Sequence, residues 1–399
     1  MSSLATRQVV ADGVPLITML EGGDGQPVAR QPLEPGSTLA ISRFAWIRRE
    51  GGAVIAETSL GPHAVVLEDP RAQTLLLAFA APRRLDADLA EQSRLPLETA
   101  LEVAAVLREA SLLIDGEQAV AEEQPPLAAW EFHDLLFHAR SRPGRHRGPS
   151  GGTFRFLDRL APTPALPPER WPETVALERP NFEQLERDDP PLARVQSVRR
   201  SIRHYGDDPI GMAQLSEFLF RVGRVEDYWE TPIPGPQPNS IACVAKPYPS
   251  AGSLYELELY AAVLACDGLE PGLYHYEAAA HRLARVSPVT VELEGLLSQG
   301  AARMGTAASS MQVMIVITAR FARLAWKYEA IAYELVLKHV GALLQTMYLV
   351  STAMGLAPCA IGAGDSDLFA RASGIAYYEE SAVGEFALGS RGSAGAPAR

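Results

Sequence analysis

The sequence predicts an α+β chain organised in two parts, and three observations carry that reading. Strand-period and helix-period hydrophobic runs mix in both halves without the regular alternation of parallel-sheet units. Eight prolines fall between Pro162 and Pro191, the composition of an extended connector. A length of 399 residues, with 47% hydrophobic and 21% charged side chains, suits two folded cores rather than one small scaffold.

Taken in order, the N-terminus MSSLATRQVVADG has no basic start followed by an apolar core. No uncharged apolar run reaches membrane-spanning length, so the expectation is a soluble, cytoplasmic protein with no membrane contact. Residues 38–68 alternate as strands, TLAISRFAWIRRE and AVIAETSLGPHAVVL, around a Gly51-Gly52 turn. Asp69 and Pro70 open a helical stretch through Phe79, Pro96 opens a second, LPLETALEVAAVLREA, and the short apolar run Leu112–Ile114 follows. Strands with two or three short helices predict a winged-helix-like module over residues 1–160. The connector is 161–192, and a larger α+β domain occupies 193–399. That domain should hold a helix around Gly211–Val222, strands near Glu256–Ala265 and Gln312–Thr318, and a long helix from Tyr328 to Met354. The last would measure about 40 Å. It ends at Gly355 and is apolar on most faces, which suits a buried or subunit-interface helix.

Charge and cysteine counts exclude several function classes. There are 36 basic and 48 acidic residues, a balance of −12 that disfavours polyphosphate partners, so no nucleic acid is expected. Cys243, Cys266 and Cys359 are odd in number and widely spaced, giving neither a disulfide framework nor a paired-Cys metal site. His133 and His138 lie five apart, on different faces of a helix, and imply no metal. Gly148-Pro149-Ser150-Gly151-Gly152 has nucleophile-elbow spacing but lacks the strand and helix that an elbow joins. Gly362-Ala363-Gly364 stops short of a dinucleotide fingerprint.

Three segments carry more chemistry. Arg199-Arg200-Ser201-Ile202-Arg203-His204 places three guanidinium groups and a hydroxyl at the predicted start of a helix, a pattern suited to phosphate; a solvated basic stripe has the same composition. Lys246-Pro247-Tyr248-Pro249-Ser250-Ala251-Gly252-Ser253-Leu254-Tyr255 combines small residues with short donors and lets backbone approach a flat group; a plain loop-to-strand turn reads alike. Lys327 and Tyr328 stand side by side before the long helix. Bringing a tyrosine from about 10 to about 7 takes about 4 kcal/mol. An ammonium near 4 Å supplies that order at an effective dielectric of about 20. The pair is therefore a candidate base, although adjacent surface Lys and Tyr are common.

These segments, in this order with ELELY at 256–260, GLYHY at 272–276, GALLQTMYLVSTAMGL at 341–356 and IGAGDSD at 361–367, resemble the nitroreductase superfamily. More narrowly they are similar to its SagB/McbC-type branch, the FMN-dependent azoline dehydrogenases of thiazole- and oxazole-containing peptide pathways. The resemblance covers about residues 195–391, and WEFHDLLFHARSR at 130–142 looks like the N-terminal extension of longer members. It implies a nitroreductase-like fold, a central, mainly antiparallel sheet flanked by long helices, in a homodimer with FMN at the subunit interface. It implies that Arg199, Arg200, Ser201 and Arg203 grip the FMN phosphate and ribityl chain, with Arg391 completing the phosphate site. Ser250, Gly252 and Ser253 would lie along the isoalloxazine, and Lys327 and Tyr328 would be catalytic. Lys246 stands where the branch carries Arg, and loses the bidentate fork.

The implied reaction is oxidation of peptide thiazolines or oxazolines to thiazoles or oxazoles, in ribosomal peptide natural-product biosynthesis. The N-terminal module would hold the precursor peptide or dock a cyclodehydratase. The rival readings are an NAD(P)H-dependent nitro or quinone reductase, and a dehydrogenase of carrier-bound azolines in a nonribosomal pathway.

Overall fold

The computed structural model describes residues 6–20, 32–146, 148–235 and 239–392. The chain divides into two compact units, Met1–Gly151 and Gly152–Arg399.

The first unit contains β1 (Thr6–Ala11), β2 (Val14–Leu20), β3 (Thr38–Ile41), β4 (Ala45–Glu50), β5 (Ala53–Thr58), β6 (Ala64–Leu67), α1 (Pro70–Leu77), β7 (Arg83–Arg84), α2 (Ala87–Gln92), α3 (Leu97–Glu109), β8 (Leu113–Asp115), α4 (Gly116–Glu122) and α5 (Phe132–Arg140). Five strands pair in the order β1-β2-β6-β5-β4 and three as β7-β3-β8. Gly51 and Gly52 both take positive φ, +56° and +91°, and turn the predicted hairpin from β4 into β5. Asp69 caps α1 by accepting from the Arg71 amide at 2.8 Å. Leu75 and Leu76 of α1 and Val103 and Leu107 of α3 share one buried core with Ile17 and Val65 of the five-stranded sheet. The β1–β2 hairpin, turned at Asp12-Gly13, is an element the sequence reading left unassigned.

The second unit contains β9 (Thr174–Ala176), α6 (Phe182–Asp188), α7 (Leu192–Val198), α8 (Met212–Gly223), β10 (Asp227–Ile233), β11 (Asn239–Ala245), β12 (Leu257–Val263), β13 (Gly272–Glu277), β14 (Arg282–Ser287), α9 (Val291–Met304), β15 (Val313–Arg320), α10 (Phe321–Ala325), α11 (Ala332–Ala353), β16 (Ala357–Ile361), α12 (Ser366–Ser373) and β17 (Glu380–Gly389). Seven strands pair in the order β16-β17-β15-β12-β13-β14-β9, every neighbour antiparallel. The fold is the predicted α+β, with the nitroreductase-like arrangement. Leu257, Leu259, Ala261 and Val263 of β12 pack with α8 and α11. Tyr260 and Ala262, which point the other way, pack with α9 and α12. A strand covered on both faces reads as a continuous apolar run, which is how LELYAAV reads.

Two expectations change. Residues 161–192 do not run as a plain connector. Thr174–Ala176 form the edge strand beside β14, and arginines of the second unit bind the preceding Pro-rich stretch. Arg320 donates to the carbonyls of Pro164 and Ala165 at 2.7 and 2.8 Å, and Arg323 to that of Thr163 at 2.8 Å. Proline removes donors but leaves carbonyl acceptors, so an extended Pro-rich chain can be fastened by side chains. The long helix starts at Ala332 rather than Tyr328, because Ala330 sits at φ +64° and interrupts helical backbone between α10 and α11. Its far end falls as predicted, with Gly355 at φ +71°.

Candidate active site

The segment after β11 makes a single tight turn over Ala251–Ser253, with Gly252 at φ +60°. A Cβ on Gly252 would lie 2.6 Å from Lys327 Nζ and 2.9 Å from Tyr328 Oη. A larger residue there would have to displace both side-chain ends, and the structure brings the predicted pair directly onto the predicted Gly-containing turn. Lys327 Nζ also lies 5.7 Å from the centre of the Phe154 ring and 5.2 Å from that of Tyr328. Phe154 is held there by its amide, which donates to the Lys327 carbonyl at 3.0 Å.

The electrostatics of the pair correct one expectation. Burial pushes the Tyr328 phenol above its ordinary value, and nearby Cys243 acts in the same direction. Burial therefore keeps Tyr328 a phenol at neutral pH, a donor rather than a resting tyrosinate.

Ser250 is also recast. Its hydroxyl accepts from the Tyr255 amide at 3.0 Å and lies 3.4 Å from Glu256 Oε2, to which it donates, so it stabilises the turn from inside. The Ala251 amide donates to His339 Nε2 at 2.9 Å, which leaves the ring proton on Nδ1, 2.8 Å from Glu256 Oε1. Glu256 and His339 are buried. This chain ties the turn to α11, and neither residue was singled out from the sequence. Ser253 sits in the same turn at φ +55°. Lys246 points inward instead: its Nζ is 3.4 Å from the Leu257 carbonyl in a small cavity that Tyr248 and Glu258 also line, and burial pulls its pKa down.

The arginine segment lies after a helix rather than at the start of one. Arg199 is the C-cap of α7 and residues 200–205 are irregular, so no helix N-terminus adds amides to the guanidinium groups. Other contacts order the segment. The Ser201 hydroxyl is 2.7 Å from Tyr348 Oη, which accepts from the Ala360 amide at 2.8 Å. The Arg199 guanidinium lies 5.1 Å from the Tyr348 ring centre, and the Ile202 amide donates to the Pro358 carbonyl at 2.8 Å. Burial raises the Cys359 thiol while Arg203 and Ser201 act against it, which sets both beside β16. Gln312 then joins the segment to the end of β17. Its Nε2 donates to the Gly206 carbonyl and to Ser390 Oγ, both at 3.0 Å, and its Oε1 accepts from the amides of Ile210 and Ser390. Arg391, exposed like Arg200 and Arg203, follows Ser390 directly.

An open groove of about 410 Å³ is lined by Val340 and Leu344 of α11, Ala360–Gly364, Ser366 and Ala382–Glu385. His339, Val340, Leu344 and Tyr348 follow one another along α11, so a single helix carries the contact to the turn, the groove wall and the contact to Ser201. Val340 and Tyr348 are about 12 Å apart along the axis. A Cβ on Gly362 would meet nothing within 4 Å, leaving its backbone open to the groove. The Gly364 Cα is covered by the Glu385 carboxyl. Burial pushes Glu385 up to about 7, with Arg303 opposing. The groove residues were missed as site residues; a Gly-x-Gly between a strand and the Asp365-capped α12 was the available signal. The separate parts suit an anionic, flat group: exposed arginines in the segment after α7, open backbone and an apolar wall in the groove, and an amine and a phenol on the Gly252 turn. Among the described residues, no group of three or more His, Cys, Asp or Glu side chains is placed to hold a metal ion.

Residues 39–147 match the family model of the cyanobactin oxidase ThcOx, and residues 197–390 match that of the nitroreductase family. A Methanocaldococcus jannaschii protein named as a nitroreductase is 29% identical over 191 residues, covering 48% of this chain and 85% of the relative. Among solved structures, the E. coli microcin synthetase McbBCD complex with truncated pro-MccB17 bound has a chain 18% identical, with a TM-score of 0.40 over 71% of this chain and 98% of that one. A protein from Exiguobacterium sibiricum described as a nitroreductase in complex with FMN is 13% identical, with a TM-score of 0.36 over 53% of this chain and 92% of that one.

Proposed function

We propose that this chain, an oxidoreductase of the SagB/McbC-type nitroreductase superfamily with a ThcOx domain ahead of its nitroreductase domain, oxidises thiazolines or oxazolines of a ribosomal precursor peptide to the aromatic azoles, using FMN. The observation that carries the reading is the meeting of Lys327 Nζ and Tyr328 Oη on Gly252, in a turn tied by His339 to α11, the helix that also contributes to the groove wall and contacts Ser201. The cyanobactin-oxidase match supports a peptide azoline as substrate.

Arg199, Arg200, Arg203, Arg391 and Ser201 would hold the phosphate and ribityl chain, and Gly252 and Ser253 would border the ring. FMN, when bound, supplies the acceptor for a hydride, the second of the two hydrogens an azoline loses. The first leaves as a proton from the carbon next to the ring imine and the peptide carbonyl. Tyr328, kept a phenol by burial, donates to that carbonyl oxygen and so acidifies the carbon. Lys327, whose Nζ meets the same turn, takes the proton. Phe154 and the tight turn restrict water around the pair. The N-terminal unit would bind the precursor peptide or a cyclodehydratase partner, and the assembly would be a homodimer.

The purified chain should absorb in the visible blue and remove about 2 Da per ring from an azoline peptide without added nicotinamide. Lys327→Ala should cut turnover by at least about a hundredfold and Tyr328→Phe by at least about tenfold, at unchanged flavin content. A colourless protein that takes up no FMN, or activity confined to NAD(P)H-driven nitro or quinone reduction, overturns the reading.

A further inference from the structure

We infer that Glu385 is a ligand-facing residue of the groove, donating a hydrogen bond through its carboxyl proton to the heteroatom edge of the flavin ring; this rests on the FMN reading above.

Glu385 sits on β17 with 4% of its surface exposed, and it lines both the open groove and the small cavity behind it. Its carboxyl covers the Cα of Gly364, so a side chain at 364 would displace it. No hydrogen bond from the described residues reaches that carboxyl. Glu380, on the same strand, shows the alternative: it accepts from Tyr260 and Thr318 at 2.8 and 2.7 Å. A carboxyl with no protein partner that borders an open groove is placed to meet a ligand on the groove side.

The charged groups around it do not supply that partner. Arg303 of α9 lines the rear cavity and acts only through its field. Asp365 is occupied, accepting from the Leu368 amide at 2.8 Å and from Gln299 Nε2 at 3.1 Å. From α11 the groove receives only Val340 and Leu344. With its midpoint raised to about 7, the carboxyl is a donor through mildly acidic pH and a bare anion above it. The carbonyl and imine acceptors at the edge of a flat heteroaromatic ring suit the donor and repel the anion, and it is to one of these rather than the ring's imide N–H that the contact is assigned.

The test titrates FMN and riboflavin into the flavin-free full chain between pH 6 and pH 8, reading quenching of flavin fluorescence. Riboflavin lacks the phosphate, which itself titrates near pH 6. Wild-type riboflavin affinity should fall about tenfold over this range, following the protonated fraction of a group with a midpoint near 7. Glu385→Gln, which keeps a donor of the same shape, should hold affinity within about twofold across the range. Glu385→Ala should bind more weakly at pH 6, with thermal melts confirming that both variants are folded. A flat wild-type profile, a Gln variant with the wild-type slope, or an Ala variant that binds as wild type at pH 6 overturns the role of Glu385 alone. Failure of the wild-type chain to take up either flavin overturns it together with the FMN reading.

Discussion

At Gly252 a single missing methyl group decides whether Lys327 and Tyr328 can meet the turn. Gly252→Ala must both hold a left-handed backbone, at roughly 1–3 kcal/mol, and push away an amine and a phenol. The expected result is at least a tenfold loss of turnover with a cooperative melt retained; kcat equal to wild type would mean the pair does not work at that position. Glu385 makes a second residue-level prediction. Its folded pKa of about 7 lies above the ordinary 4.5, so the folded state binds more protons and its contribution is fully present below pH 4.5 and lost as pH rises through 7. Glu385→Gln should therefore melt like wild type at pH 4 and be more stable by at most about 3 kcal/mol at pH 8. Denaturant titrations at the two pH values measure this, and a pH-independent difference would contradict it. Tyr328 shows where residue-level reading falls short: adjacency to Lys327 is visible in sequence, but the burial that raises the phenol is not.

Elements explain which parts of the site were legible. The long helix, β12 and β15 follow from apolar runs too long and too continuous for surface elements, and their ends fall within a few residues of expectation. The arginine segment was placed at a helix start because its neighbours look helical. In fact α7 precedes it, and the segment is ordered by contacts with residues far along the chain. Gln312 is the clearest of these, since it makes four hydrogen bonds to residues 206, 210 and 390. Gln312→Ala leaves several of those groups unpaired near a buried site, so a loss of about 3 kcal/mol is expected, with FMN affinity falling alongside. An unchanged melting curve would show that the segment is held by other means.

For the whole molecule, each unit has its own core, and the two family matches fall one in each unit. No helix among the described residues is long and apolar enough to cross a membrane. On the second unit, Leu337 of α11 is 41% exposed and Tyr378 is 90% exposed. The homodimer proposed above would cover Leu337. Leu337→Glu should convert dimer to monomer in light scattering, and a wild-type chain that is monomeric at micromolar concentration would refute the assembly.

By itself the sequence determined the α+β class, the main strands and helices of the second unit and the three segments proposed to form the site, because each is encoded in local spacing, turn chemistry and residue type. Only the tertiary structure decided that Gly252 underlies Lys327 and Tyr328, that Glu256 and His339 tie the turn to α11, that the Pro-rich stretch packs on the second unit, and that Glu385 faces a groove. Those outcomes depend on contacts between residues tens to hundreds of positions apart, and on desolvation, which acts through the packed surroundings and leaves no trace in local pattern.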